Sequence, residues 1–494
     1  MDEITVNFDA WKHFINLPHL NINHLNIQHF CICNYMNILT QDTIVALATP
    51  NGTGAIAVIR LSGTDALIIA NSVFKGRDLT KQASHTIHFG TVTDGDLILD
   101  EVLASLFIAP RSYTRENVVE ISCHGSNYII QSIIKLLIRH GARSAKPGEF
   151  TLRAFLNGQF DLSQAEAVAD LIASDSKASQ QVALQQLRGG YSNELQTLRE
   201  QLVHFASMIE LELDFAEEDV EFANRGQLKQ LIHDLTRVIG KLIQSFELGN
   251  AVKQGINTVI AGRPNAGKST LLNALLNEDR AIVSHIAGTT RDTIEETLNI
   301  NGINFRLIDT AGIREATDAI EQIGVQKTME KISQSALLLY VFDAENITPE
   351  ELQQDIDQLS KPGIPALIVV NKIDVLPDYH DKFHPHLPEG STLVAISAKE
   401  KLHIEELKQL IYDQTIQGKL NGNETLVTNI RHLEALQKTE QALIKTLQGI
   451  DHQVTSDFLA MDIKQALHYL GEITGAVTTD DLLDNIFSKF CIGK

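Results

Sequence analysis

The sequence predicts a multidomain α/β plus α protein in which an α/β nucleotide-binding domain interrupts a helical one, and three observations predict it. Gly262-Arg263-Pro264-Asn265-Ala266-Gly267-Lys268-Ser269 joins the apolar run Thr258-Val259-Ile260-Ala261 to the apolar-rich stretch Ser269-Thr270-Leu271-Leu272-Asn273-Ala274-Leu275-Leu276: a strand, a phosphate-cradling loop and a helix in succession. Leu187, Leu195, Leu198, Leu202, Phe205 and Ile209 recur at helical spacing before it, and helical patterning resumes over 429–490. A separate α/β region comes first, where strand-like runs such as Ala55-Ile56-Ala57-Val58-Ile59-Arg60 and Val118-Val119-Glu120-Ile121-Ser122 alternate with helical stretches.

In chain order, residues 1–41 read as an extension, with Met36 a candidate native start that mass spectrometry of the native N-terminus would test. His29, Cys31 and Cys33 lack the further ligands a metal site needs, and no positive segment followed by a long apolar core marks a signal peptide. Residues 42–158 are expected to form the N-terminal α/β domain, 159–254 the first part of the helical domain, 255–417 the inserted domain and 418–494 the second helical part. Insertion at a surface loop leaves the two halves of a host domain free to pack together.

At 494 residues and 44% hydrophobic content there is room for about three domains with full cores. No apolar stretch approaches the roughly 18 residues of a membrane span, the longest lying near Ala336 to Phe342. The cysteines Cys31, Cys33, Cys123 and Cys491 show no disulfide spacing, which fits a reducing cytoplasm. A net charge of -21 excludes a chain that grips nucleic acid over its whole surface, because phosphate contacts need Lys and Arg, so any RNA contact is local or borrowed from a partner. Lys135, Arg139, Arg143, Lys146 and Arg153 outnumber the single nearby acid Glu149, and read either as a solvated helix end or as an anion patch.

The motifs then define a ligand. Unpaired N–H groups at a helix start bind oxyanions, so Asn265, Ala266, Gly267 and Thr270 surround a phosphate chain while Lys268 reaches its outer phosphates and the Ser269 hydroxyl ligates magnesium. Asp309-Thr310-Ala311-Gly312 ends a strand, Asp309 holding magnesium through water and the Gly312 amide facing the γ-phosphate. Gly288-Thr289-Thr290-Arg291-Asp292 offers Thr290 to complete the metal site. After the strand Ala366-Leu367-Ile368-Val369-Val370 comes Asn371-Lys372-Ile373-Asp374, where the Asp374 carboxylate accepts from guanine N1–H and the 2-amino group; adenine offers neither, which selects GTP. Asn371 is expected at the base edge and Lys372 as a brace for the phosphate loop, with Ser397-Ala398-Lys399 closing over the base after the strand Thr392-Leu393-Val394-Ala395-Ile396.

Small signalling GTPases carry a water-orienting glutamine after the glycine of the second motif, and here that residue is Ile313, which cannot hold water. With Asn265 in the loop, this resembles GTPases that use potassium in place of an arginine finger and are activated when two G domains dimerise. Oxygens of Asn265 and of the loop backbone from Ser284 to Thr289 suit such an ion.

Over residues 42–494 the chain resembles the MnmE (TrmE) family of tRNA modification GTPases. The likeness lies in Asp42-Thr43-Ile44-Val45-Ala46, the phosphate loop, Gly288-Thr289-Thr290-Arg291-Asp292 and the terminal Phe490-Cys491-Ile492-Gly493-Lys494. The resemblance implies an N-terminal tetrahydrofolate-binding-like domain, a Ras-like G domain, a homodimer, and a heterotetramer with the flavoprotein MnmG. It implies addition of an aminomethyl-type (carboxymethylaminomethyl) group to C5 of the wobble uridine of certain tRNAs, with carbon from a one-carbon tetrahydrofolate. It further implies potassium at Asn265, Ser284, Ile286 and Thr289, magnesium at Ser269 and Thr290, GTP contacts running through His285 and Ala287, and Glu321 as the water-orienting acid. For the folate it implies Arg60, Glu120 and Lys494, with Gln159 standing where the family favours a basic residue, and it makes Cys491 a covalent participant. The other reading is a regulatory GTPase switch in ribosome assembly without modification chemistry; that reading calls for a KH-type loop or a tandem G domain.

Overall fold

The structure, a computed structural model, describes residues 42–215, 224–276, 295–309, 330–343, 345–359, 364–375, 392–416 and 425–493. The described elements begin with β1 (Ile44–Leu47), β2 (Ile56–Ser62), α1 (Ala66–Val73), β3 (Phe74–Lys75), β4 (Thr86–Asp94), β5 (Leu97–Phe107), β6 (Val118–His124), α2 (Asn127–Arg139), β7 (Arg143–Ser144) and α3 (Glu149–Leu156). Four helices follow: α4 (Leu162–Ala173), α5 (Lys177–Leu187), α6 (Ser192–Asp214) and α7 (Arg225–Gln254). Then come β8 (Ile256–Ala261), α8 (Lys268–Leu276), β9 (Glu295–Ile300), β10 (Ile303–Asp309), β11 (Leu337–Asp343), α9 (Pro349–Leu359), β12 (Ala366–Asn371), β13 (Thr392–Ala395) and α10 (Ile404–Ile416). The chain closes with α11 (Ile430–Asp451), α12 (Ser456–Thr474) and α13 (Asp480–Phe487).

The described residues from 42 to 165, together with those from 478 to 493, form one compact unit, and the described residues between 166 and 477 form another. In the first, strands in the order β3-β4-β5-β6-β2-β1-β7 build one sheet. Period-two alternation sends Ile59, Leu61, Val119, Ile121, Ala104 and Leu106 to one face, where they pack with Ile69, Ile133 and Leu137 of α1 and α2. The register places Arg60 opposite Glu120, Glu120 opposite Ser105, and Ser105 opposite Ile87, so these four form one row on the other face. The tail corrects an expectation. Residues from 478 onward, grouped from sequence with the second helical part, pack in the first unit, where α13 meets α3 and the Phe487 and Phe490 rings lie 5.3 Å apart.

In the second unit both helical stretches share a single core, in which Leu195, Leu202 and Ile209 of α6 meet Leu235 of α7, Leu436 of α11 and Ile463 of α12. Leu198 and Phe205 border it. A buried polar cluster ties α4 to the start of α11: Glu166 accepts from Arg431 at 2.7 Å and from Asn429 at 3.0 Å and meets His432 at 2.7 Å, while Tyr191 hydrogen-bonds the other ring nitrogen of His432. The inserted domain is a sheet ordered β13-β12-β11-β8-β10-β9, parallel except at β9. Its middle strands are near-continuous apolar runs because helices cover both faces of a parallel sheet.

Candidate nucleotide site and a second polar site

Parallel strands deliver their carboxyl ends to one edge of the second sheet, where α/β proteins bind ligands. Gly262 follows β8, Asp309 ends β10, Asp343 ends β11, Asn371 ends β12, and Ser397 follows β13. The phosphate loop turns through Asn265 at φ 62°, a left-handed backbone that asparagine tolerates, and through Gly267 at φ 90°. A Cβ at Gly267 would lie 2.3 Å from the Asn371 side-chain nitrogen, so only glycine lets the loop approach β12.

Asn371 holds the parts together. Its Nδ2 donates to the Ala266 carbonyl at 2.9 Å, and its Oδ1 accepts from the Ala398 N–H at 3.0 Å. One amide therefore joins the phosphate loop to the Ser397-Ala398-Lys399 loop. Ser397 is buried and caps that loop by accepting from the Glu400 N–H at 3.2 Å, while Lys399 and Asp374 are exposed. Lys268 is buried and folds back, its Nζ donating to the Gly262 and Arg263 carbonyls at 2.8 and 2.9 Å. Ser269 and Thr270 present exposed side chains at the first turn of α8.

Lys372 departs from expectation. Its ammonium donates to Asp343 at 2.6 Å rather than bracing the phosphate loop, because β11 and β12 register Asp343 directly against Asn371. Burial raises the Asp343 carboxyl, but Lys372 and Asn346 outweigh it and hold it below the usual carboxylate range. Sequence reading also missed a second anchor, in which Arg263 donates to Asp355 at 2.7 Å and to Glu351 at 2.8 Å on α9, with Tyr340 bonded to the same Asp355. Only the sheet order, which sets β11 beside β8, could have revealed it. Ser284, His285, Ile286, Ala287, Gly288, Thr289, Thr290, Thr310, Ala311, Gly312, Glu321 and Lys494 lie outside the described residues. Among the described residues no cluster of three or more His, Cys, Asp or Glu could hold a metal.

The second site lies on the first sheet. Arg60 donates from Nε to Glu120 at 2.8 Å and from Nη1 to the Gly493 carbonyl at 3.4 Å. Its guanidinium carbon sits 5.4 Å from the Tyr113 ring centre and 5.6 Å from that of Phe150. Burial pushes the Tyr113 phenol up, and its hydroxyl pairs with Thr151 at 2.9 Å. Gln159 does not touch Arg60 in this arrangement; it accepts from Arg115 Nε at 3.1 Å. The exposed Cys491 is held by its backbone, its carbonyl accepting from the Gly148 N–H at 3.4 Å. Cys123 is buried, and burial with Asp100 pushes its thiol up to about 11.

The basic cluster is corrected as well. Arg143 pairs with Asp42 at 2.7 Å and Glu149 at 2.6 Å, Arg153 is 1% exposed and pairs with Asp42, Glu116 and Glu149, and Arg139 meets Asp94. Strands distant in sequence bring in the acids that a local charge count leaves out. Neither a free anion patch nor a solvated helix end describes Arg143 and Arg153.

A strand–loop–helix phosphate cradle, a guanine-type third motif bonded to it, and a helical domain closed around the insertion define a multidomain P-loop GTPase. A family model described as "MnmE helical domain" matches residues 162–491, and one described as "GTP-binding protein TrmE N-terminus" matches residues 43–159. The chain is 58% identical over 453 residues to the tRNA modification GTPase MnmE of Cytophaga hutchinsonii, covering 92% of this chain and 98% of that one. It is 55% identical over 472 residues to its counterpart in Christiangramia forsetii, covering 92% and 99%, and 55% identical over 465 residues to that of Flavobacterium psychrophilum, covering 92% and 100%. The chain belongs to the MnmE family of tRNA modification GTPases. No helix among the described residues is long and apolar enough to cross a membrane.

Proposed function

We propose that this chain is a potassium-dependent GTP hydrolase of the cytoplasm that works as a homodimer, in a heterotetramer with the flavoprotein MnmG. In that assembly it takes part in adding an aminomethyl-type group to C5 of the wobble uridine of certain tRNAs, with carbon from a one-carbon tetrahydrofolate. The observation that carries the GTPase reading is the Asn371 amide, which links the phosphate loop to the base-side loop across residues 266, 371 and 398. Family membership supports the tRNA.

Lys268 and the N–H groups at the start of α8 would bind the phosphates, Asp374 would accept from guanine, and Glu321 would orient the attacking water. Ser269 and Thr290 would hold magnesium, which neutralises phosphate charge when bound. Asn265, Ser284, Ile286 and Thr289 would hold potassium, which supplies the cation that an arginine finger gives elsewhere. Arg60 and Glu120 suit a folate because a carboxylate takes a pterin N–H and the guanidinium bonded to it at 2.8 Å holds that carboxylate in place. Lys494 would join them, as the family likeness implies, and Cys491 would act there as a nucleophile, which Cys491→Ser would test through tRNA modification.

Support for the homodimer comes from the open sheet face. Phe89 and Leu103 lie directly opposite each other and are 66% and 45% exposed, and Ile87, in the row of Arg60 and Glu120, is 66% exposed. Apolar cross-strand pairs left in water mark an association surface. Turnover of GTP by the purified chain in potassium and in sodium tests the hydrolase: faster turnover in potassium is expected, and equal rates would remove the potassium role. Loss of wobble-uridine modification, read by mass spectrometry of tRNA nucleosides when the protein is removed, tests the pathway; unchanged nucleosides would refute it.

A further inference from the structure

We propose that Arg115 is the anion-binding cation of the Arg60 site and takes the glutamyl tail of the one-carbon folate, an inference that rests on the folate reading above. Arg115 is exposed, and its backbone lies at φ 60°, a left-handed conformation that a long side chain adopts only where contacts hold it. Two contacts hold it: Nε donates to Gln159 Oε1 at 3.1 Å, and Nη1 donates to the Asn157 carbonyl at 3.0 Å. Both acceptors are neutral. Arg60, Arg143 and Arg153 are each paired with carboxylates, so Arg115 differs from them in carrying its charge to the surface against uncharged partners.

The same two segments touch again nearby, where the Tyr113 and Phe160 rings pack edge-on at 5.8 Å. Tyr113 in turn bears Arg60 on its face at 5.4 Å. Arg60 thus lies on the face of Tyr113, which is in the same loop segment as Arg115. Gln159 has no charge, yet its carbonyl oxygen orients a guanidinium, so the position without a cation of its own directs one from the neighbouring loop. Gln159 is the positioning residue and Arg115 the binding one. A glutamyl tail carries two carboxylates, and a guanidinium with an open edge pairs with such groups in bidentate fashion. Arg60 and Arg115 each have Nε and Nη1 engaged, but the charge of Arg60 is already matched by the Glu120 carboxylate, whereas that of Arg115 is not matched by its neutral partners.

The test titrates the intact chain with 5-formyltetrahydrofolate and with 5-formyltetrahydropteroate, the same ring system without the glutamate. Arg115→Gly removes the cation and suits the left-handed backbone, so the fold is retained, as an unchanged GDP titration would verify. This variant should bind the glutamylated compound at least about tenfold more weakly, the loss expected for one charge-assisted pair, while binding the pteroate as before. Adding Gln159→Lys to Arg115→Gly should restore much of the loss. Equal affinity of Arg115→Gly and the unchanged chain for 5-formyltetrahydrofolate would overturn the role of Arg115 and leave the folate reading standing. No binding of either compound by the unchanged chain would overturn that reading, and this role with it.

Discussion

Replacing Asn371 with alanine should loosen the nucleotide site from within. The side chain is 2% exposed and satisfies the Ala266 carbonyl at 2.9 Å and the Ala398 N–H at 3.0 Å, both on buried residues. Each backbone group left without a partner costs roughly 1–3 kcal/mol. Because both loops can relax partway toward water, the lower half of that range applies, and the pair should cost about 2–4 kcal/mol. If the loops stay in place, the loss appears as a lower unfolding free energy. If they come apart until a nucleotide reassembles them, it appears as weaker binding, roughly 30- to 1,000-fold for that energy. Urea unfolding without ligand, combined with calorimetric titration of GDP, captures both. Asn371→Asp keeps the acceptor for Ala398 but sets a carboxylate oxygen against the Ala266 carbonyl, and should cost at least as much. An Asn371→Ala protein that matches the original in both unfolding free energy and GDP affinity would refute the reasoning, since no other measured quantity could absorb two lost hydrogen bonds.

Asp374→Asn should weaken GTP binding roughly 10- to 100-fold and improve xanthosine triphosphate, whose C2 keto group accepts from an amide; competition binding reads this, and an unmoved guanine preference would discard the assignment. Arg153→Met leaves Glu149 buried with only Arg143 to compensate it and should cost about 3–5 kcal/mol, visible as a lower urea midpoint. Burial raises the Glu166 carboxyl, but His432 and Arg431 outweigh it and hold it down to about 2. That lies below the unfolded value of about 4.3, so the stabilisation is complete above about pH 4.3 and fades as pH falls toward 2; urea midpoints from pH 6 to 3 should drop more for the original than for Glu166→Gln, and parallel curves would count against it. Gly493 lies at φ 94°, and a Cβ there would sit 2.1 Å from the Leu47 carbonyl oxygen, so Gly493→Ala should dislodge the tail and weaken folate binding while leaving GDP titrations unchanged.

The inserted domain was legible because each of its signals is local. An apolar run feeding a glycine loop and then a helix specifies its own geometry over residues 256–276, and the same holds where β12 delivers Asn371. The stripe through Leu195, Leu202 and Ile209 was legible for the same reason, since helical periodicity needs no distant partner. What the helices pack against was only inferable, because one core draws on segments separated by the whole inserted domain. The tail shows the limit. Asp480–Phe487 has ordinary helical patterning, and nothing in that pattern says whether its apolar face meets α12 or α3. The deciding features are positional: Gly148, Gly493 and Phe490 fit only in contact with the first unit.

Polar partners separate the two sites more sharply. Arg153 looked like a surface cation because Asp42 lies 111 residues away and Glu116 lies 37 away, and neither enters a window around it. Lys372 was assigned by motif to the phosphate loop, whereas strand register hands its ammonium to Asp343. In both cases the charge was read correctly and its destination was not. The reason is energetic: a buried ion must find a counter-ion wherever the fold supplies one, from loops far along the chain for Arg153 and from the neighbouring strand for Lys372. Arg115 is the converse case. Its partners Gln159 and Asn157 are neutral, so nothing in the described protein neutralises it through a direct bond. An exposed cation held by two neutral acceptors is what a binding role accounts for; the left-handed backbone alone decides nothing, since Lys401 and His403 share it.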